Sequence, residues 1–196
     1  VKWFGAGMSF ARHFMHPAGI GGRFAGWIMA TRGSNVTRNR WVVDRLAIGP
    51  DDRVLEIGCG PGIATAAALA RGAEVVAVDP SDVMRSMTAR RNPGATVVEG
   101  DSDHLPDGPF TVAFAVNNAQ FWSDVDRTLL ALRERMAPGG RVALAVQPRF
   151  QGATDADARR IAEENATRLV AAGFVDAEVE VLDLRPVDCG CARATA

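Results

Sequence analysis

From residue 53 to the C-terminus, short apolar runs alternate with longer stretches whose apolar residues recur every three or four positions. The runs at 53–57, 74–78, 96–99, 111–116 and 142–147 are rich in valine and alanine and read as buried strands. Between them, 63–71, 82–91 and 124–136 carry helical spacing. A further helix over 156–172 stops at Gly173, a residue suited to the position just past a helix. Strands that alternate with helices predict a parallel sheet covered on both faces. Two last apolar runs, 178–184 and 186–192, meet at Arg185 and Pro186, a link that permits only antiparallel pairing. The pattern therefore predicts a doubly wound α/β domain. Its seven-stranded sheet is mostly parallel and closes on a C-terminal antiparallel hairpin.

Composition narrows the field by exclusion. A chain of 196 residues holds one ordinary domain. The formal charge of −1 offers no basic surplus for DNA or RNA, so no nucleic-acid partner is expected. Lys2 is the only lysine, and the arginine, alanine and glycine bias is that of a GC-rich coding sequence. Cys59, Cys189 and Cys191 form no disulfide framework, which fits a reducing cytoplasm. Alternation puts Cys189 and Cys191 on one strand face, as buried structural thiols, and neither has metal-ligand spacing. No run reaches the roughly 20 apolar residues that span a bilayer, and Arg12, His13 and His16 interrupt any secretory core. No stable membrane insertion is expected. Val1 fits a start at a GTG codon, with Met8 and Met15 as other possible starts.

The chemistry concentrates at 54–62, VLEIGCGPG, where an apolar strand carrying one acid breaks into three glycines spaced two apart. Glycine has no Cβ, so a ligand can lie almost against this backbone, and the first N–H groups of the next helix face the same space. Two nucleotide-binding patterns compete. The dinucleotide fingerprint needs a third glycine where this chain has Ile63. About twenty residues on, the strand at 74–78 ends in Asp79, where a carboxylate accepts hydrogen bonds from paired ribose hydroxyls. Ser81 or Asp82 can cap the following helix at the same time. Further along come Asp101 after a third strand, Leu105-Pro106, a fourth strand ending in Asn117-Asn118, and the turn Pro138-Gly139-Gly140.

This order of E-x-G-x-G-x-G turn, two strand-end acids and Pro-Gly-Gly turn resembles the class I S-adenosylmethionine-dependent methyltransferases, of the small-molecule, methyltransferase type 11-like kind. The resemblance covers 54–146 well and the rest more weakly. It implies S-adenosylmethionine as cofactor and methyl transfer to a small, partly apolar metabolite at O, C or N. It places Glu56, Gly58 and Gly60 at the methionine end, with Glu56 toward the ammonium. Asp79 falls on the ribose, Met84 on the adenine face, Asp101 and Ser102 at the adenine edge, and Asn117 beside the transferring methyl. Amide methyltransferases carry Asn-Pro-Pro-aromatic after the fourth strand; Asn117-Asn118-Ala119-Gln120 departs from it, which disfavours planar nitrogen acceptors. Gln120, Phe121 and Trp122 line the substrate side or join the core. No catalytic base is assigned; His13, His16 and His104 are the only histidine candidates.

Two other functions stay open on the residues. One is a cofactor-binding module without catalysis, acting as partner or sensor. The other is an NAD-dependent oxidoreductase, which the lack of any tyrosine and of a third glycine at position 63 weakens. Residues 1–50 differ from the rest. Trp3, Phe4, Phe10, Phe14, Phe24, Trp27 and Trp41 crowd together among many glycines, and 36–46 reads as a helix with Trp41, Val42 and Leu46 on one face. The segment either seals the sheet edge or forms a lid over the methyl end of the cofactor, with 51–196 as the cofactor-binding domain and the whole as one globular unit. A membrane-surface contact would need a polar face rich in Lys and Arg, which the segment lacks. The oligomeric state is not legible.

Overall fold

Seven strands form one sheet in the order β3-β2-β1-β4-β5-β7-β6 in the computed structural model, which describes residues 33–196. The strands are β1 (Arg53–Ile57), β2 (Glu74–Asp79), β3 (Thr96–Glu99), β4 (Phe110–Val116), β5 (Met136–Val146), β6 (Val175–Leu182) and β7 (Cys189–Thr195). The helices are α1 (Gly33–Arg45), α2 (Ile63–Leu69), α3 (Asp82–Arg91), α4 (Val125–Arg133) and α5 (Asp155–Ala171). β1 to β5 run parallel, while β7 pairs antiparallel with both β5 and β6. This is the expected mostly parallel sheet with its antiparallel C-terminal pair. His13, His16 and the aromatics before Trp41 lie outside the described residues. Within them, 33–45 form the expected helix, with Val42 and Leu46 buried and Trp41 partly so.

Period-two alternation divides the core between the two faces of the sheet. Val54, Val112, Phe114, Ala143, Ala145, Cys189 and Cys191 pack against α1 and α2 through Val42, Val43, Ala64 and Ala68. Leu55, Ile57, Ala113, Ala115, Val142 and Leu144 face the other way, toward Leu129 and Leu132 of α4 and Leu169 of α5. The parity of β1 thus puts Glu56 on the same face as Val54, under α2. Ser81 caps α3, Asp124 caps α4, and Thr154 with Asp157 makes a capping box on α5.

Several boundaries differ from the expectation, α1 among them, which begins at Gly33 rather than at 36. The helix over 124–136 ends at Arg133, and Met136 already opens β5. Met136 pairs with Phe110, then the register shifts so that Arg141 meets Val112; the intervening 137–140 bulge outward, with Gly139 at φ 74°. The final strands also sit a few residues away from the runs that mark them: β6 starts earlier, at Val175, and β7 reaches Thr195. β7 is built from small residues, Cys-Gly-Cys-Ala-Arg-Ala-Thr, which carry little strand propensity. Their size follows from the packing of α5: a Cβ on Gly190 would lie 2.0 Å from the Ala158 carbonyl oxygen. Cys189 and Cys191 are buried and unbridged on the face of α1, and burial pushes their thiols up to about 12 and higher still.

Candidate cofactor site

The carboxyl ends of β1, β2 and β4 converge on the glycine turn at 58–62. The turn is fixed from below and from the side. Gly58 and Cys59 donate their N–H groups to the Val78 carbonyl at 2.8 and 3.0 Å, and Gly62 donates to Cys59 O at 3.0 Å. Three side chains from the end of α3 hold the turn's carbonyls: Thr88 Oγ1 donates to Gly60 O at 2.8 Å, Arg91 to Pro61 O at 2.7 Å and Asn92 Nδ2 to Gly62 O at 2.9 Å. Much of the turn's polar backbone is therefore satisfied by protein, more than the sequence implied.

Gly60 is the place where a ligand can approach. A Cβ there, at φ 51°, would meet nothing within 4 Å among the described residues. At Gly58 a Cβ would fall 2.0 Å from Asn118 Nδ2, and at Gly62 it would fall 2.4 Å from Asn92 Nδ2. Two glycines thus admit neighbouring amides, and the middle one leaves open space above the backbone.

Two buried acids lie beside the turn. Asp79, 7% exposed, accepts Gly60 N–H on Oδ2 and Ser81 N–H on Oδ1, both at 2.9 Å. Arg85 donates to the Asp79 carbonyl at 2.9 Å from the same helix. Glu56 accepts Thr65 Oγ1 at 2.5 Å on Oε2 and also the Thr65 backbone N–H, so it caps the start of α2 from within the sheet. Burial pushes its pKa up to about 8; the charge of Asp79 pushes the same way, and the bonds from Thr65 oppose.

The remaining sequence candidates divide into exposed and enclosed groups. Asp101, partly exposed, accepts the N–H groups of Asp103 and His104 and a ring contact from His104 Nδ1 at 2.9 Å. Burial opposes ionisation of Asp101, but the His104 contact and these backbone bonds prevail and hold it below the ordinary carboxylate value. His104 itself is largely exposed. Met84 and Ser102 are buried, and Met84 N–H caps onto Ser81 Oγ. Asn117 adopts φ 52°; its side chain brackets Gln147, accepting the Gln147 N–H at 2.7 Å, and its carbonyl accepts Gln120 Nε2 at 3.0 Å. Trp122 joins the core, with its ring N–H on Asn118 Oδ1 at 2.6 Å, whereas Phe121 is exposed.

The structure adds residues to which the sequence reading gave no role at the site: Thr65, Thr88, Asn92, Asn118 and Gln147. For Thr88 and Asn92 a signal existed, since 84, 88 and 92 recur at helical spacing on one side of α3 and turn polar toward the glycines. Thr88→Val keeps the shape but leaves the Gly60 carbonyl without its partner. Unfolding in urea is expected to show a loss of about 1–2 kcal/mol with an unchanged slope.

A family profile described as a methyltransferase domain matches residues 55–144. The uncharacterized methyltransferase YdaC of Bacillus subtilis (strain 168) is 30% identical over 176 residues, spanning 87% of this chain and 96% of YdaC. A trans-aconitate 2-methyltransferase of Methylobacterium nodulans is 33% identical over 134 residues, covering 65% of this chain and 52% of that protein. The solved structure of the N-methyltransferase NodS from Bradyrhizobium japonicum WM9, in complex with S-adenosyl-L-homocysteine, has the same fold, with a TM-score of 0.69 at 19% identity over 96% of each chain. The chain belongs to the methyltransferase type 11 domain family, within the class I S-adenosylmethionine-dependent methyltransferases.

Proposed function

We propose that this methyltransferase acts on a small, partly apolar metabolite at an oxygen, carbon or nitrogen atom, and that it binds its cofactor across the glycine turn. The observation that carries the binding reading is the open space that the described residues leave over Gly60, in a turn with the buried acids Glu56 and Asp79 beside it. An adenosyl sulfonium ligand presents groups of matching chemistry: a cationic amine, a vicinal diol and an apolar base.

In this reading Glu56 receives the ammonium, aided by the carbonyl of Asn117, and Gly58 and Gly60 leave room for the methionine end. Asp79, at the end of β2 beside Gly60, receives the ribose hydroxyls. Met84 underlies the adenine, with Asp101 and Ser102 at its edge. The bound cofactor supplies an electrophilic methyl group, so the protein's tasks are alignment and exclusion of water. Phe121, exposed beyond β4, offers an apolar wall to an acceptor. His104, with Nδ1 2.9 Å from Asp101 Oδ1, is the base candidate among the described residues.

Calorimetry with S-adenosyl-L-homocysteine and, separately, NAD tests the site, and a screen of metabolites with labelled methyl donor tests the acceptor. Saturable binding of the first ligand without the second is expected. Binding of NAD in its place, or label passing only to macromolecules, would remove this reading.

A further inference from the structure

We propose that Arg38 and Arg149 form a receptor for a carboxylate carried by the methyl acceptor, at the carboxyl end of β5. This deepens the reading above and rests on it. Arg38 lies on α1 and is 4% exposed. Its NH1 donates to Gln147 Oε1 at 2.7 Å, its NH2 donates to Asn35 Oδ1 at 2.6 Å, and its buried Nε has no hydrogen-bond partner among the described residues. Arg149 NH2 donates to the same Gln147 oxygen at 2.6 Å and lies 3.4 Å from Ser34 Oγ. Two guanidinium groups therefore share one neutral amide oxygen.

No carboxylate pairs with Arg38 among the described residues. The group that opposes the fall of its pKa is the Cys189 thiol, which burial pushes up to about 12. A buried cation without a counter-charge is costly, and a second cation beside it raises the cost. Burial and Arg149 pull the Arg38 pKa down to about 10, which still leaves it charged at neutral pH. A purely structural strut from α1 to Gln147 would need only a neutral donor. An arginine pair instead presents the forked donors that match a carboxylate.

The placement fits an acceptor. Gln147 N–H donates to Asn117 Oδ1 at 2.7 Å, so the arginines gather one residue away from Asn117, the end of β4 placed beside the transferring methyl. Gln147 Nε2 in turn is fixed by the Val187 carbonyl at 2.5 Å, so its Oε1 faces the two arginines and cannot rotate away without losing that bond. The cofactor has a carboxylate of its own, and the test separates the two sources.

The full chain, saturated with S-adenosyl-L-homocysteine, is melted with increasing benzoate or succinate, and in parallel with benzamide or succinamide. The carboxylates are expected to raise the Tm by about 3–5 °C at roughly ten times their Kd, and the amides to leave it unchanged. Arg38→Gln and Arg149→Gln are each expected to abolish that shift while binding S-adenosyl-L-homocysteine as the unaltered chain does. Arg149 is exposed, so its variant carries the test even if Arg38→Gln fails to fold. Equal shifts from acids and amides, no shift from the acids, or a tenfold loss of S-adenosyl-L-homocysteine affinity in Arg149→Gln would overturn the proposal; the last result would assign the arginines to the cofactor's carboxylate. A chain that fails to bind S-adenosyl-L-homocysteine at all would instead remove the reading of the glycine turn, and this inference with it.

Discussion

Asp79→Ala is expected to weaken binding of S-adenosyl-L-homocysteine ten- to a hundredfold while the chain still folds. Asp79 ends β2 with its carboxylate buried, one oxygen on Gly60 N–H and the other on Ser81 N–H. Each hydrogen bond to a charged acceptor is worth about 1.5–3 kcal/mol, and 1.4 kcal/mol is a factor of ten in Kd. Part of the loss comes from the turn, because Gly60 N–H loses its acceptor along with the ribose. Asp79→Asn separates the contributions: its amide oxygen can still serve one of the two N–H groups, but it holds neither the charge nor acceptors for a diol. Its affinity is expected to stay nearer that of the alanine variant than that of the parent, with a smaller fall in Tm. Calorimetry on both variants, with unfolding curves beside it, decides the matter. A folded Asp79→Ala that binds as tightly as the parent would show that this carboxylate serves the turn alone.

The parallel strands and the glycine turn were legible because buried parallel strands declare themselves as valine runs and because few turns place three glycines two apart; the order of the strands in the sheet was not. Asp79 and Glu56 were legible for a related reason: an acid inside or at the end of an apolar strand needs a partner, and the neighbouring glycines supplied the context. What stayed hidden was the wiring between elements distant in sequence. Asn118 matters because Gly58, sixty residues earlier, leaves room for its amide, and Thr88 and Asn92 matter because α3 turns them toward Gly60 and Gly62. The helical spacing of 84, 88 and 92 puts Thr88 and Asn92 on one side of α3, but nothing in that spacing names the glycines as their partners. Gln147 was read as the last residue of a strand, yet it gathers two arginines, Asn117 and the Val187 carbonyl. The last strand was misplaced because its alanines, cysteines and glycine are chosen for the closeness of α5, and close packing removes the bulky residues by which a strand is recognised.

Between pH 6 and 8 the affinity for S-adenosylmethionine is expected to rise by up to tenfold per pH unit, and in Glu56→Gln that rise is expected to disappear. Glu56 is 3% exposed, and its pKa is pushed from 4.5 to about 8, chiefly by burial. In the ligand-free protein the carboxyl therefore keeps its proton through most of the neutral range. A cationic ammonium needs the ionised form, so binding releases one proton, and one released proton corresponds to a tenfold change per pH unit. The ligand's own amine loses its proton near about pH 8, so the rise levels there and turns down at higher pH. The effect on folding has the opposite sign. Because the folded pKa lies above the unfolded one, the native chain binds more protons than the unfolded chain between pH 4.5 and about 8. Stability is therefore lost progressively as pH rises through that window and changes no further above it. Glu56→Gln removes this penalty and keeps an acceptor for Thr65, so without ligand it is expected to exceed the parent in stability by a wider margin at pH 8 than at pH 5. Calorimetry in two buffers of different ionisation enthalpy counts the released proton directly. Binding with no proton release and no pH dependence over this range would mean that the ammonium meets some other group than Glu56.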